Sequence, residues 1–128
     1  MAKRIFIVDD SKVVRQFLRT HLENSSENVV CAEAQDGLDA VQRAAEVAPD
    51  VIVLDFCMPR MNGMEAAGIL HDRLPNVPII LYTLRSEIVN TTLAKNSGIC
   101  AVVSKTDPFD VLLGEVRRCA EIGGSYSA

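Results

Sequence analysis

Four short apolar runs in this 128-residue sequence each end in residues able to do chemistry. Asp9-Asp10 follow residues 4–8, Asp55 follows 51–54, Thr83 follows 79–82, and Ser104-Lys105 follow 99–103. If the runs are strands, three carboxylates, a hydroxyl and an ammonium converge on one edge although they are scattered through the chain. Three acids packed together repel one another and have raised pKa values unless a cation sits among them. A few hard oxygen ligands, open to water, suit Mg²⁺, which keeps several waters and often shares its shell with a phosphate. A carboxylate can also accept a phosphoryl group, provided that a metal and a lysine neutralise the crowded negative charge. On this reading Asp55 is the best placed nucleophile and Asp9 and Asp10 hold the ion. Lys105 neutralises one phosphoryl oxygen, and the Thr83 hydroxyl donates to another.

The elements that must position these residues alternate along the chain. Residues 4–8 read as a strand, and Ser11 opens a helix whose Val13, Val14, Phe17, Leu18, His21 and Leu22 recur at helical spacing. A second strand over 29–34, a turn at Asp36-Gly37 and a helix over 38–48 closed by Pro49 follow. The run 51–54 is apolar throughout, as a central parallel strand covered on both faces should be. A loop with Pro59 and Gly63 leads to a helix over 65–73, and Pro75 and Pro78 bracket the entry to a strand over 79–82. A fourth helix is predicted over 86–96, with Gly98 just past its end, and a fifth strand over 99–103. Asp107-Pro108 reads as the cap and first-turn proline of a last helix, which carries Phe109, Leu112, Leu113, Val116 and Ala120 on one face before Gly123-Gly124. Five strands alternating with five helices predict a doubly wound α/β domain around a parallel sheet, over residues 1–122, with 123–128 a loose tail or the start of a linker. In such sheets ligands bind at the carboxyl ends of the strands, where the polar residues fall.

Composition narrows the function. At 48% apolar residues the chain can build a sizeable core. A net charge of −4 argues against direct nucleic-acid contact by this domain, which would need clustered Lys and Arg. The four cysteines, Cys31, Cys57, Cys100 and Cys119, have no metal-ligand spacing and read as free thiols, three of them buried and Cys57 near the site. The start MAKRIFIVDD is too short an apolar run for a signal peptide or a membrane span, so a cytoplasmic protein without membrane contact is expected. Met58, Met61 and Met64 read as packing residues, and His21 and His71 as surface or satisfied-core residues.

Over nearly its whole length the sequence resembles the receiver domains of bacterial two-component response regulators. Residues 55–63, DFCMPRMNG, are similar to the family block D-x-x-M-P-x-M-x-G, and Asp9-Asp10, Thr83 and Lys105 occur in the family's order. The resemblance implies the flavodoxin-like strand order 2-1-3-4-5. It also implies a sensor histidine kinase or phosphotransfer protein as phosphodonor, and Mg²⁺ held by Asp10, Asp55 and the Cys57 backbone carbonyl, with Asp9 acting through water. Phosphorylation of Asp55 would draw Thr83 toward the phosphoryl group and change the surface around the fourth helix, fifth strand and last helix, where a phosphorylation-dependent homodimer is a family expectation.

Three residues depart from the family pattern. Val102 stands where receivers often carry an aromatic switch residue, and Cys57 lies two residues past the acceptor. Thr106 replaces a common cis proline after the lysine, and a trans peptide is expected there because a cis bond before a non-proline residue costs roughly 2.5–4 kcal/mol. The absence of that proline, together with the tail, resembles receivers joined to helix-turn-helix output domains. The runner-up is a phosphorylation-independent interaction module of receiver fold. An aspartyl-phosphate hydrolase is disfavoured because Cys57 stands where such enzymes carry a second acid, and a flavin-binding protein because Asp-Asp-Ser replaces a phosphate loop after the first strand.

Overall fold

Successive residues of a strand point to opposite faces of its sheet, so a strand that is apolar throughout needs cover on both sides. The computed structural model describes residues 1–89, 94 and 97–122. Its elements are β1 (Lys3–Val8), α1 (Lys12–Glu23), β2 (Asn28–Ala34), α2 (Gly37–Val47), β3 (Val51–Leu54), α3 (Gly63–Arg73), β4 (Ile79–Thr83), a 3₁₀ turn (Ser86–Ile88), β5 (Ile99–Ser104) and α4 (Phe109–Ile122). All strand pairs are parallel, in the order β2-β1-β3-β4-β5. β3 is therefore the middle strand, as its unbroken apolar run predicts.

Alternation sorts the strand residues into two cores. Phe6, Val8, Ile52, Leu54, Ile79 and Leu81 pack on one face with the small residues Ala40, Ala44, Ala66 and Ala67 of α2 and α3. On the other face Ile5, Ile7, Val51, Val53, Ile80 and Tyr82 meet Leu18 and Leu22 of α1 and Leu112 and Val116 of α4. Met58, Met61 and Met64 pack against the first core, as expected of them.

Helix boundaries follow local chemistry. The Ser11 hydroxyl accepts from Val14 N–H (3.2 Å) at the start of α1, and the Asn62 side chain accepts from Glu65 N–H (3.0 Å) at the start of α3. Ala48 ends α2 at φ +48° and Pro49 prevents its continuation. α4 begins at Phe109, and Asp107, expected as its cap, turns its carboxylate back to the Ser104 N–H (3.2 Å). Of the helix predicted over 86–96, the first residues form the 3₁₀ turn, Ala94 is helical, and residues 90–93, 95 and 96 lie outside the described residues. The described residues thus carry four α-helices, and the glycine stop and tail at 123–128 lie outside them as well. No described helix is long and apolar enough to cross a membrane.

The cysteines require a correction. Cys100 of β5 and Cys119 of α4 are joined in a disulfide with their Cα atoms 6.2 Å apart, while Cys31 and Cys57 are free. Sequence spacing could not show this, because α4 folds back over the sheet face and brings position 119 to β5. Closing a loop of this length contributes about 3 kcal/mol in the chain-entropy account. Alkylation of unfolded protein without reductant is therefore expected to label two thiols, and four after reduction, with reduction lowering the melting temperature by roughly 10 °C. Four labels without reductant would show that the bond is absent.

Candidate functional site

Parallel register brings the scattered polar residues together. Val8 pairs with Leu54, so Asp9 and Asp55 leave adjacent strands side by side, and Thr83 pairs with Ser104, next to Lys105. Backbone bonds fix the chain just beyond the strands: Asp55 N–H donates to the Val8 carbonyl (2.9 Å) and Lys105 N–H to the Thr83 carbonyl (2.9 Å). Asp9, Asp10, Asp55, Cys57, Thr83 and Lys105, all six residues expected from sequence, border one cleft of about 400 Å³.

The Lys105 ammonium bridges two carboxylates, 2.8 Å from Asp9 Oδ2 and 3.4 Å from Asp55 Oδ2. Carboxylate oxygens of Asp9, Asp10 and Asp55 lie within 4.8 Å of one another. Asp9 is 1% exposed and Asp55 6%, whereas Asp10 faces solvent. Asp9 is further held by the Ser11 N–H on Oδ1 (2.9 Å), and its backbone carbonyl accepts from the Arg15 guanidinium (2.6 Å). Thr83 is buried, and its hydroxyl accepts from Arg85 N–H (3.2 Å).

Electrostatics follow from this crowding. Loss of solvent, and then the Asp9 charge, push the Asp55 carboxyl above its ordinary pKa, with Lys105 and the Cys57 N–H offsetting part of the rise. Burial alone would lower the Lys105 pKa, but the hydrogen bond and charge of Asp9, with Asp55 behind them, outweigh it and raise the net value. One ammonium among three carboxylates leaves the cleft with excess negative charge.

The departures at positions 102 and 106 can now be placed. Val102 packs against the first core, and the described residues contain no cis peptide, so the trans bond expected before Thr106 is present. Lys105 reaches both carboxylates with threonine after it. Tyr82, one residue before Thr83, is 6% exposed, and its ring centroid lies 6.0 Å from the Lys105 ammonium.

Sequence reasoning missed one pair beside the site. Asp36 is 4% exposed, caps α2 through the Asp39 N–H (2.9 Å), and accepts from the Arg60 guanidinium on Oδ2 (2.5 and 2.9 Å). The Asp39 N–H, then Arg60, hold the Asp36 carboxyl below its ordinary pKa against the effect of burial. Asp36 was legible only as a turn residue, and no local pattern links it to an arginine 24 positions on.

Comparison with known proteins shows the family of the chain. The family model described as the response regulator receiver domain matches residues 5–117. The chain is 36% identical over 90 residues to a protein-glutamate methylesterase/protein-glutamine glutaminase of Pyrococcus horikoshii, covering 70% of this chain and 24% of that protein. It is 30% identical over 118 residues to the response regulator protein VraR of Staphylococcus saprophyticus, covering 92% and 56%. A crystal structure of a LuxR-family two-component response regulator from Aurantimonas superposes with a TM-score of 0.87 at 26% identity, covering 94% of this chain and 86% of that one. The chain thus spans from about a quarter to little more than half of these two curated relatives.

Proposed function

The chain belongs to the response regulator receiver family, and from that premise we propose that it is a phosphoacceptor switch in which Asp55 takes a phosphoryl group from a sensor histidine kinase or phosphotransfer protein. The observation that carries this reading is the Lys105 ammonium lying between the Asp9 and Asp55 carboxylates in a cleft with three acids. An Asp55 carboxylate oxygen forms a bond to phosphorus while the bond from phosphorus to the donor's histidine nitrogen breaks. That nitrogen keeps the electron pair and takes a proton from solvent. Lys105 neutralises a phosphoryl oxygen, and the Thr83 hydroxyl, released from the Arg85 N–H, donates to another.

The donor set fits Mg²⁺: three hard oxygen ligands close enough to share one ion, more negative charge than one lysine balances, and Asp10 open to water. Asp9, Asp10, Asp55 and the Cys57 carbonyl would hold it, Asp9 through water, and the ion supplies positive charge to the phosphoryl oxygens. Residues 1–122 form the receiver in this reading, in the cytoplasm, with no external substrate turned over. Phosphorylation shifts an equilibrium between two forms of the surface that includes β5 and α4, where a homodimer would form. Disulfides are rare in a reducing cytosol, so the thiol count described above bears on the compartment too.

Incubation with Mg²⁺ and a small acyl-phosphate donor is expected to add one hydroxylamine-labile phosphoryl group to wild type and none to Asp55→Asn. No gain by wild type would favour a phosphorylation-independent interaction module. Free phosphate released from diverse monoesters would favour a hydrolase.

A further inference from the structure

Between Asp55 and α3 the chain makes a tight, unusual turn. Met61 N–H donates to the Pro59 carbonyl (2.7 Å), a bond between residues two apart, and Arg60 between them has φ +66°. A γ-turn of this hand is rare and strained, and glycine is the residue that adopts it most freely. Arginine at this position brings something glycine lacks, a guanidinium that reaches across to the buried Asp36 carboxylate. A second contact joins the same two segments, because a Cβ on Gly37 would lie 2.9 Å from the Met61 carbonyl oxygen. The start of α2 and the loop after Asp55 are therefore pressed together next to the acidic cleft, and Asp10, Asp36, Pro59 and Arg60 border a common groove there.

We propose that the Arg60–Asp36 pair is a positioning device, which holds residues 56–62 in the conformation that lets Cys57 serve the cation site. It rests on the proposed phosphoacceptor reading, since the cation is part of it. Strained backbone persists only where its surroundings over-determine it, and it concentrates at functional sites. Here the surroundings are a buried anion fixed by its own helix cap and a carbonyl packed against Gly37. Among the described residues no hydrogen bond or ion pair joins either residue to Asp9, Asp10, Asp55 or Cys57, and their side-chain bonds are to each other and to the Asp39 N–H, so they act through the loop. Without the clasp the turn relaxes, Cys57 samples other positions, and cation binding must bear the cost of reordering it.

Titration of Mg²⁺ alone into the whole protein by calorimetry tests this, with thermal melting of the metal-free protein measured beside it. Arg60→Gly, which removes the guanidinium and accommodates the turn, is expected to weaken Mg²⁺ binding about tenfold, the size of a typical single positioning contact. The metal-free melting temperature should change little, because relief at Arg60 offsets the lost pair. Arg60→Lys should recover part of the affinity. Asp36→Asn, which keeps an oxygen for the cap, should weaken binding similarly, and the double variant no further than either single one. Wild-type Mg²⁺ affinity in Arg60→Gly, or losses that multiply in the double variant, would overturn the positioning role. Failure of wild type to bind Mg²⁺ would instead sink the reading of the cleft itself.

Discussion

Replacing Lys105 by methionine is expected to slow phosphoryl uptake by Asp55 on the order of 10²-fold while tightening the cleft's hold on Mg²⁺. The two effects have opposite signs because the ammonium does two things. Its Nζ lies 2.8 Å from Asp9 and 3.4 Å from Asp55, so it competes with a cation for the same carboxylates. In the proposed transfer the same charge is needed on an oxygen of the incoming phosphoryl group, where its removal resembles the loss of one preorganised donor. Metal-free protein should also lose about 3 kcal/mol of stability, because Asp9 and Asp55 are left buried without their counter-charge. Mg²⁺ should restore part of that loss by mass action. Calorimetry, phosphoryl uptake and denaturant melts read the three effects separately. A variant with both weaker cation binding and unchanged uptake would contradict the role given to Lys105.

The second large effect is steric. A Cβ on Gly63 would lie 2.5 Å from the Asp55 carbonyl oxygen and 2.6 Å from Phe56 Cα, both backbone atoms that no side-chain rotation can move. Gly63 N–H also donates to the Phe56 carbonyl (2.8 Å), so the start of α3 is seated on the backbone of Asp55 and Phe56. Gly63→Ala is therefore expected to cost about 2–3 kcal/mol through forced displacement. Because the displaced atoms belong to Asp55 and the residue after it, phosphoryl uptake should fall roughly 10²-fold in the protein that remains folded. A Cβ on Gly68, further along the same helix, would meet nothing within 4 Å, and Gly68→Ala should stabilise by about 0.5–1 kcal/mol through helix propensity. Similar denaturant midpoints and uptake for the two variants would refute the steric role of Gly63.

What could be read from sequence was set by local rules. Strand residues declare their faces by alternation and by uniform burial, so β3 was legible as the centre of the sheet and its end as the place for Asp55. Once the strands are parallel, every residue just past a carboxyl end shares one edge, which is why Asp9, Asp10, Thr83 and Lys105 could be grouped from the sequence alone. Contacts that depend on tertiary return of the chain were not legible. Cys100 and Cys119 meet only because α4 recrosses the sheet, and Arg60 meets Asp36 only because the loop after β3 lies against the start of α2. The positive φ of Arg60 carries no sequence mark either, since the residue there is not glycine. Asp107 was misjudged as a helix cap because a carboxylate before proline has two nearby sets of N–H groups to choose from, and the end of β5 won.

The central claim, that Asp55 itself carries the phosphoryl group, is tested most directly by trapping. Protein incubated with Mg²⁺ and an acyl-phosphate donor is reduced with borohydride, which converts an acyl phosphate to an alcohol, and the peptides are then sequenced by mass spectrometry. Homoserine is expected at position 55, with Asp9 and Asp10 unchanged. Conversion at Asp9 or Asp10, or intact Asp55 in protein that has gained a hydroxylamine-labile phosphoryl group, would contradict the claim.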